Sequence, residues 1–205
     1  MTHFPSSPHP AVTVPDPGPV PGGTQCKIET FTDDPQAELA EMATRLHRFS
    51  ELGIHLKAQA VFDDLADDIA QRSGFLYAMA NAFGEQQTFL GLHNPPSDAG
   101  YPIIGRTMSR GQGYCPEVVR RRRGLPLPNV AASPRFQSND VVDAAGIQSY
   151  FGEPVIDAVT GLALVTVCLI DPEPRTLRDA ARLQGIVRDG ARTTADLLKI
   201  PPHAS

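Results

Sequence analysis

The chain has 205 residues, 41% of them hydrophobic, and a formal net charge of −5. That is enough apolar residue for one domain with a substantial core, and the wrong charge for a broad nucleic-acid footprint. No apolar run approaches a membrane span, no basic-then-apolar leader opens the chain, and Cys26, Cys115 and Cys168 lack metal-ligand spacing, which together predict a cytoplasmic protein with reduced thiols.

Seven of the chain's 20 prolines fall before Cys26, as in "PDPGPVPGG". Proline removes amide donors, and so little apolar area cannot offset the entropy of ordering. Residues 1–33 are therefore expected to form a disordered tail, residues 34–200 a single domain, and residues 201–205 a short tail. Asp34 followed by Pro35 is a helix start, and Leu39, Met42, Leu46 and Phe49 mark a narrow seam on the helix that follows, ending near Gly53. A second helix is expected over about Ala58 to Arg72, with Val61, Leu65 and Ile69 as its stripe, Phe62 and Ala66 beside it, and Ser73-Gly74 as its stop. Its acids, Asp63, Asp64, Asp67 and Asp68, read as a solvated face in preference to a metal site.

"FLYAMANAFGEQQTFLGLHN" predicts two strands around Gly84-Glu85. "YPIIGRTMSRGQGYC" holds a short strand and a glycine-rich rim, "PEVVRRRRG" a short helix with Pro116 in its first turn, "LPLPNV" an extended piece and "SNDVVDAAGI" another short helix. "FGEPVIDAVTGLALVTVCLID" is a long strand pair joined near Val159–Gly161. Thr176, with Asp179 three residues on, opens the last helix, whose Leu183, Val187, Gly190, Thr194 and Leu197 mark a second seam. Helices at both ends of an antiparallel sheet give an α+β class, and repeated βαβ units do not fit.

Four stretches, "GQGYCPEVVRRRRGLPLPNV", "SPRFQSNDVV", "IQSYFGEPVID" and "GLALVTVCLIDPEPRTL", resemble in order and spacing the GAF domain, a small-molecule-binding sensor module. The resemblance spans about Phe49 to Leu198. It implies a six-stranded antiparallel sheet with the N- and C-terminal helices on one face. On the other face it implies a ligand pocket covered by loops and short helices between Tyr101 and Gly146. It also implies homodimerisation through the terminal helices, for which the two seams offer surfaces, and a signalling partner protein.

Strand alternation and family position together nominate Met79, Phe89, Gly91, His93, Tyr114, Cys115, Val118, Phe136 and Tyr150 as the pocket wall for an unnamed small-molecule ligand. Cys115, at the start of a short helix, is placed for a lowered pKa and resembles a loop cysteine of the free methionine-(R)-sulfoxide reductase branch. That branch needs a further thiol in the next loop, where this chain reads "NVAASPRFQSNDVVDAAG". The expectation is therefore a non-catalytic sensor, with a Cys115-based redox enzyme or thiol switch as the alternative. His93 alone is a weak case for haem or iron, a bilin site lacks its histidine-containing surroundings, and the Asn-Lys-x-Phe-Asp-Glu signature of the cyclic-nucleotide branch is absent. Arg120 to Arg123 reads as a solvated helix end or an anion site, and Arg135 as a brace for its loop.

Overall fold

A computed structural model describes residues 34–136 and 146–201. The expected N-terminal tail, the helix expected in "SNDVVDAAGI" and most of the C-terminal tail lie outside the described residues. Asp34 caps α1 (Pro35–Glu51) by accepting the Gln36 amide, with proline in the first turn, and Gly74 in the left-handed region ends α2 (Ala60–Ser73). β1 (Tyr77–Phe83) and β2 (Gln87–His93) form the first hairpin. They are followed by β3 (Thr107–Met108), α3 (Cys115–Arg121) and β4 (Leu125–Leu127). Two 3₁₀ turns, Val130–Ala132 and Pro134–Phe136, precede β5 (Ser149–Ile156) and β6 (Ala163–Asp171). Thr176 accepts the Asp179 amide at the start of the last helix, α4 (Leu177–Leu198).

The six strands form one antiparallel sheet in the order β3-β2-β1-β6-β5-β4, so the architecture is α+β, as expected. The long β5–β6 hairpin and the β1–β6 pairing put the most apolar strand, β6, in the middle. Two apolar clusters sandwich the sheet. One joins α1, α2 and α4 to it through Phe49, Phe62, Ile69, Phe151, Leu183 and Val187. The other lies beneath α3 and is built from Met79, Phe89, Tyr114, Val118, Leu127 and Tyr150.

The terminal helices depart from their expected seams in an informative way. On α1, Leu39 is exposed and the buried residues are Arg45 and Phe49, with Leu46 packed beside them. The Arg45 guanidinium donates to the Ala163 carbonyl (3.0 Å) and to Glu41 (2.7 Å). On α2, Val61 is exposed and the buried stripe is Phe62, Ala66, Ile69, Ala70 and Ser73. On α4, Leu197 is exposed and Leu198 buried, while Leu183, Val187, Gly190 and Thr194 turn onto the chain's own sheet and α2. A Cβ at Gly190 would stand 2.5 Å from Ile69 Cδ1, the close helix approach expected of that glycine. This seam is spent within the domain.

Candidate functional site

The face beneath α3 is read best in rows across the sheet. Antiparallel register places Gly152, Cys168 and Met79 side by side on β5, β6 and β1, and Pro154, Thr166, Asn81 and Phe89 in the adjoining row. Over these rows lies α3, whose Cys115, Val118 and Val119 are buried. Tyr114, just before α3, stacks edge-on against Tyr150 at 5.2 Å and Phe136 at 5.9 Å, and its hydroxyl donates to the Phe136 carbonyl (2.9 Å). Of the expected wall residues, Met79, Phe89, Tyr114, Cys115, Val118, Phe136 and Tyr150 meet here.

Gly91 and His93 do not. The β1–β2 register slips between Ala80 and Asn81, so Ala80 faces Gly91 but Asn81 faces Phe89. The extra residue, Leu90, is a β-bulge, and a bulge reverses which residues face which side. Beyond it Leu92 takes the α3 face, while Gly91 backs onto Phe62 of α2 and the His93 imidazole pairs with Asp67 of α2 at 2.6 Å. Asp63, on the same helix, accepts the Leu92 amide (2.9 Å) and pairs with both terminal nitrogens of Arg106 (2.6 and 3.1 Å). Two of the four acids on α2 thus clamp the sheet, and the described residues hold no group of three or more metal-ligating side chains.

Three polar residues that the sequence reading passed over lie at the centre of the face. Asn81 and Thr166 face each other across β1 and β6, both wholly buried. Among the described residues, the Asn81 side-chain oxygen and the Thr166 hydroxyl have no hydrogen-bond partner. The Asn81 amide nitrogen donates to Gln87 (2.6 Å), and the Gln87 amide donates onward to the backbone carbonyls of Ser109 (2.7 Å) and Gln112 (2.8 Å). A polar line therefore runs from the middle of the interior to the glycine-rich loop before α3. The signal was present in the sequence: a lone Asn in "YAMANAF" and a lone Thr in "ALVTVCLID" are buried polar residues in strands otherwise apolar, the kind of exception that carries information.

The thiols complete the site. Cys115 and Cys168 lie 53 residues apart in the chain and 3.3 Å apart at sulfur, both buried and free. The Tyr150 hydroxyl donates to Cys115 Sγ at 3.5 Å. It reaches there because Gly152, two residues on, has no side chain: a Cβ at that position would overlap the hydroxyl oxygen and lie 2.7 Å from Cζ. This gives a physical reason for Tyr-x-Gly in "SYFGEPV". The Cys115 thiol is drawn down to about 6, chiefly by the Cys168 thiol beside it. Burial opposes that shift, and Thr166, Tyr150 and Asn81 reinforce it. Of these three, Tyr150 makes the hydrogen bond to the sulfur described above. Cys168 moves the opposite way, as expected when one proton is shared across a close pair. Burial and the adjacent thiols push the Tyr150 hydroxyl up, keeping it a donor.

The arginine run is divided among acids. Arg120 (2.8 Å) and Arg121 (2.7 Å) both pair with Glu117, Arg122 pairs with Glu41 (3.1 Å), and Arg135 reaches Glu117 at 3.0 Å, bracing the second 3₁₀ turn against α3. Arg122 and Arg123 also border an open crevice of about 450 Å³ at the sheet edge, shared with Glu153, Gln184 and Arg188. Because Glu153 is in its wall, the crevice is of mixed charge. No helix among the described residues is long and apolar enough to cross a membrane.

No curated protein matches the chain. Among solved structures it is similar to the blue-light absorbing form of the Thermosynechococcus elongatus PixJ GAF domain (11% identity, TM-score 0.50, 67% of this chain and 84% of that one). It is also similar to the A. aeolicus nlh2 GAF domain in an inactive state (11% identity, TM-score 0.51, 79% and 97%). A type II free methionine-R-sulfoxide reductase from Thermoplasma acidophilum aligns at 12% identity and TM-score 0.48, over 67% of this chain and 92% of that one. At such identities the likeness is one of fold. The family model described as "GAF domain" matches residues 57–191, from just before α2 into α4, and so takes in the whole sheet, α3 and the buried polar centre. The chain belongs to the GAF domain family.

Proposed function

We propose that this domain is a cytoplasmic small-molecule sensor without catalytic activity, which passes its signal to a partner protein. The observation that carries the reading is the pair of orphaned polar groups, Asn81 Oδ1 and Thr166 Oγ1, at the centre of the α3 face. Leaving such groups buried and unpaired costs roughly 1–3 kcal/mol each. A guest with an N–H or O–H donor would recover that cost, with Tyr114, Phe89 and Met79 as apolar surroundings. These wall residues are themselves closely packed, so the guest is small and enters as α3 and the adjoining loops part. Asn81 holds Gln87 and Gln87 holds the 109–112 backbone, so a guest that pulls on Asn81 biases the loop leading into α3. That gives binding a differential contact through which to shift a population. Neutral acceptors and aromatic rings suit recognition, and the two thiols face each other.

A thermal-shift screen of small metabolites bearing hydroxyl, amine or amide groups tests this. A guest at a hundred times its dissociation constant stabilises by about 2.7 kcal/mol, a rise of roughly 5–10 °C for a domain of this size. Thr166→Val keeps the shape and removes the orphaned hydroxyl, so its melting temperature should equal or exceed that of the wild type while the response to the guest is lost. No response from any compound, or a response unchanged in both Thr166→Val and Asn81→Leu, would overturn the reading.

A further inference from the structure

We propose that Cys115 and Cys168 are a peroxide-responsive dithiol, whose oxidation to a disulfide clasps α3 to the central strand β6. The geometry points to it in three ways. The sulfurs stand 3.3 Å apart, so a disulfide of about 2.05 Å needs an approach of little more than 1 Å. They belong to separate elements on opposite sides of the same interior, the first turn of α3 and the middle of β6, so the bond would fasten the roof to the floor. The Tyr150 hydroxyl, seated over Gly152, donates to Cys115 Sγ, a contact that favours the thiolate at Cys115 and leaves Cys168 as the protonated partner.

The reaction balances with hydrogen peroxide as the oxidant. The Cys115 thiolate attacks one peroxide oxygen, the O–O bond breaks, and Cys115 becomes a sulfenic acid as hydroxide leaves. The Cys168 sulfur then attacks Cys115 Sγ, the S–O bond breaks, and the sulfenic oxygen takes the Cys168 proton and departs as water, while the hydroxide from the first step takes up the proton that Cys115 had given up on ionising. In sum two thiols and one peroxide give one disulfide and two waters, and the two electrons lost by the sulfur pair reduce the peroxide. Burial sets the selectivity. Cys115 and Cys168 are only 6% and 1% exposed, so a water-sized oxidant arrives through brief openings of α3, whereas oxidised glutathione cannot bring its disulfide to either sulfur. The proposal stands whether or not the interior takes a guest.

The test uses the full chain with Cys26→Ala, which leaves only this pair. Brief exposure to hydrogen peroxide should lower the intact mass by two hydrogens, and peptide mapping should join Cys115 to Cys168. Oxidised glutathione should leave the native protein unchanged while reacting with the urea-unfolded one. Cys168→Ala should stop at a sulfenic acid that dimedone traps on Cys115. The rate should climb about tenfold per pH unit below the Cys115 value of about 6 and level off above it. The oxidised protein should melt at a higher temperature than the reduced one. Mapping on unmutated protein guards against a variant that fails to fold. The proposal is overturned if native protein keeps both thiols under peroxide that oxidises the unfolded chain, if Cys115 proceeds to sulfinic acid with Cys168 intact, or if oxidised glutathione reacts as readily with the native protein as with the unfolded one.

Discussion

Gly91→Ala should be among the most damaging single substitutions in this chain, lowering stability by about 3 kcal/mol, the upper end of the overpacking range. A Cβ there would overlap the carbonyl carbon and oxygen of Phe62 and stand 2.7 Å from Phe62 Cβ. Most of the obstruction is helix backbone, which cannot rotate away as a side-chain tip can. Nor can α2 withdraw freely, because the Gln59 amide donates to the Leu90 carbonyl (2.9 Å) and Asp63 holds the Leu92 amide. Both contacts fix the start of α2 on the bulged part of β2. The expected fall in melting temperature is roughly 6–12 °C. Gly185→Ala is the control: it lies inside α4 with nothing within 4 Å of a built Cβ, so it should gain about 0.5–1 kcal/mol from helix propensity alone. Urea melts of the two variants decide the matter, and a Gly91→Ala protein as stable as wild type would show that α2 does not lie against the Gly91 backbone.

The same bulge marks where the sequence stopped being legible. Element types and order were readable because their causes are local: Asp34-Pro35 and Thr176 as caps, Gly74 as a left-handed stop, Gly84-Glu85 between two apolar runs. The α3 face is readable as far as alternation holds, which is why Met79, Phe89 and Tyr150 fall on one side of the sheet. One inserted residue, Leu90, sent Gly91 and His93 to the other side, and nothing in "TFLGLHN" announces a bulge. The seams depart from expectation at single positions and for another reason. Arg45 is buried on α1 because its guanidinium finds the Ala163 carbonyl across 118 positions of sequence, and a helical wheel has no means of anticipating such an acceptor. The Cys115–Cys168 meeting is likewise a product of tertiary register, invisible to spacing rules suited to local metal motifs. Asn81 and Thr166 are another matter, since their isolation within apolar strands was there to be read.

Asp157→Ala should cost about 3 kcal/mol, the low end of the range for removing one partner of a buried ion pair. Asp157 follows β5, at the head of the turn into β6. Its carboxylate is fully buried and is gripped by Arg48 of α1 through two nitrogens, each at 3.1 Å. It also accepts the Thr160 amide (3.0 Å) and hydroxyl (2.9 Å), so one side chain both shapes the hairpin turn and fastens α1 to it. Arg48 retains Glu51 at 3.1 Å and is 13% exposed, which keeps the loss toward the low end. The pH dependence has a definite sign. Burial alone would raise the Asp157 carboxyl, but the Arg48 and Thr160 hydrogen bonds outweigh it and hold the group below its ordinary value. The unfolded chain therefore binds this proton first as pH falls. The contribution is complete above the unfolded carboxyl value of about 3.9 and is lost as pH drops through the lower folded value. Asp63 is depressed as well and titrates in the same window, so the informative quantity is a difference. Wild-type stability minus that of Asp157→Asn should be constant at neutral pH and shrink below about pH 4. A difference that stays level down to pH 2 would mean that the buried carboxylate does not owe its place to charge.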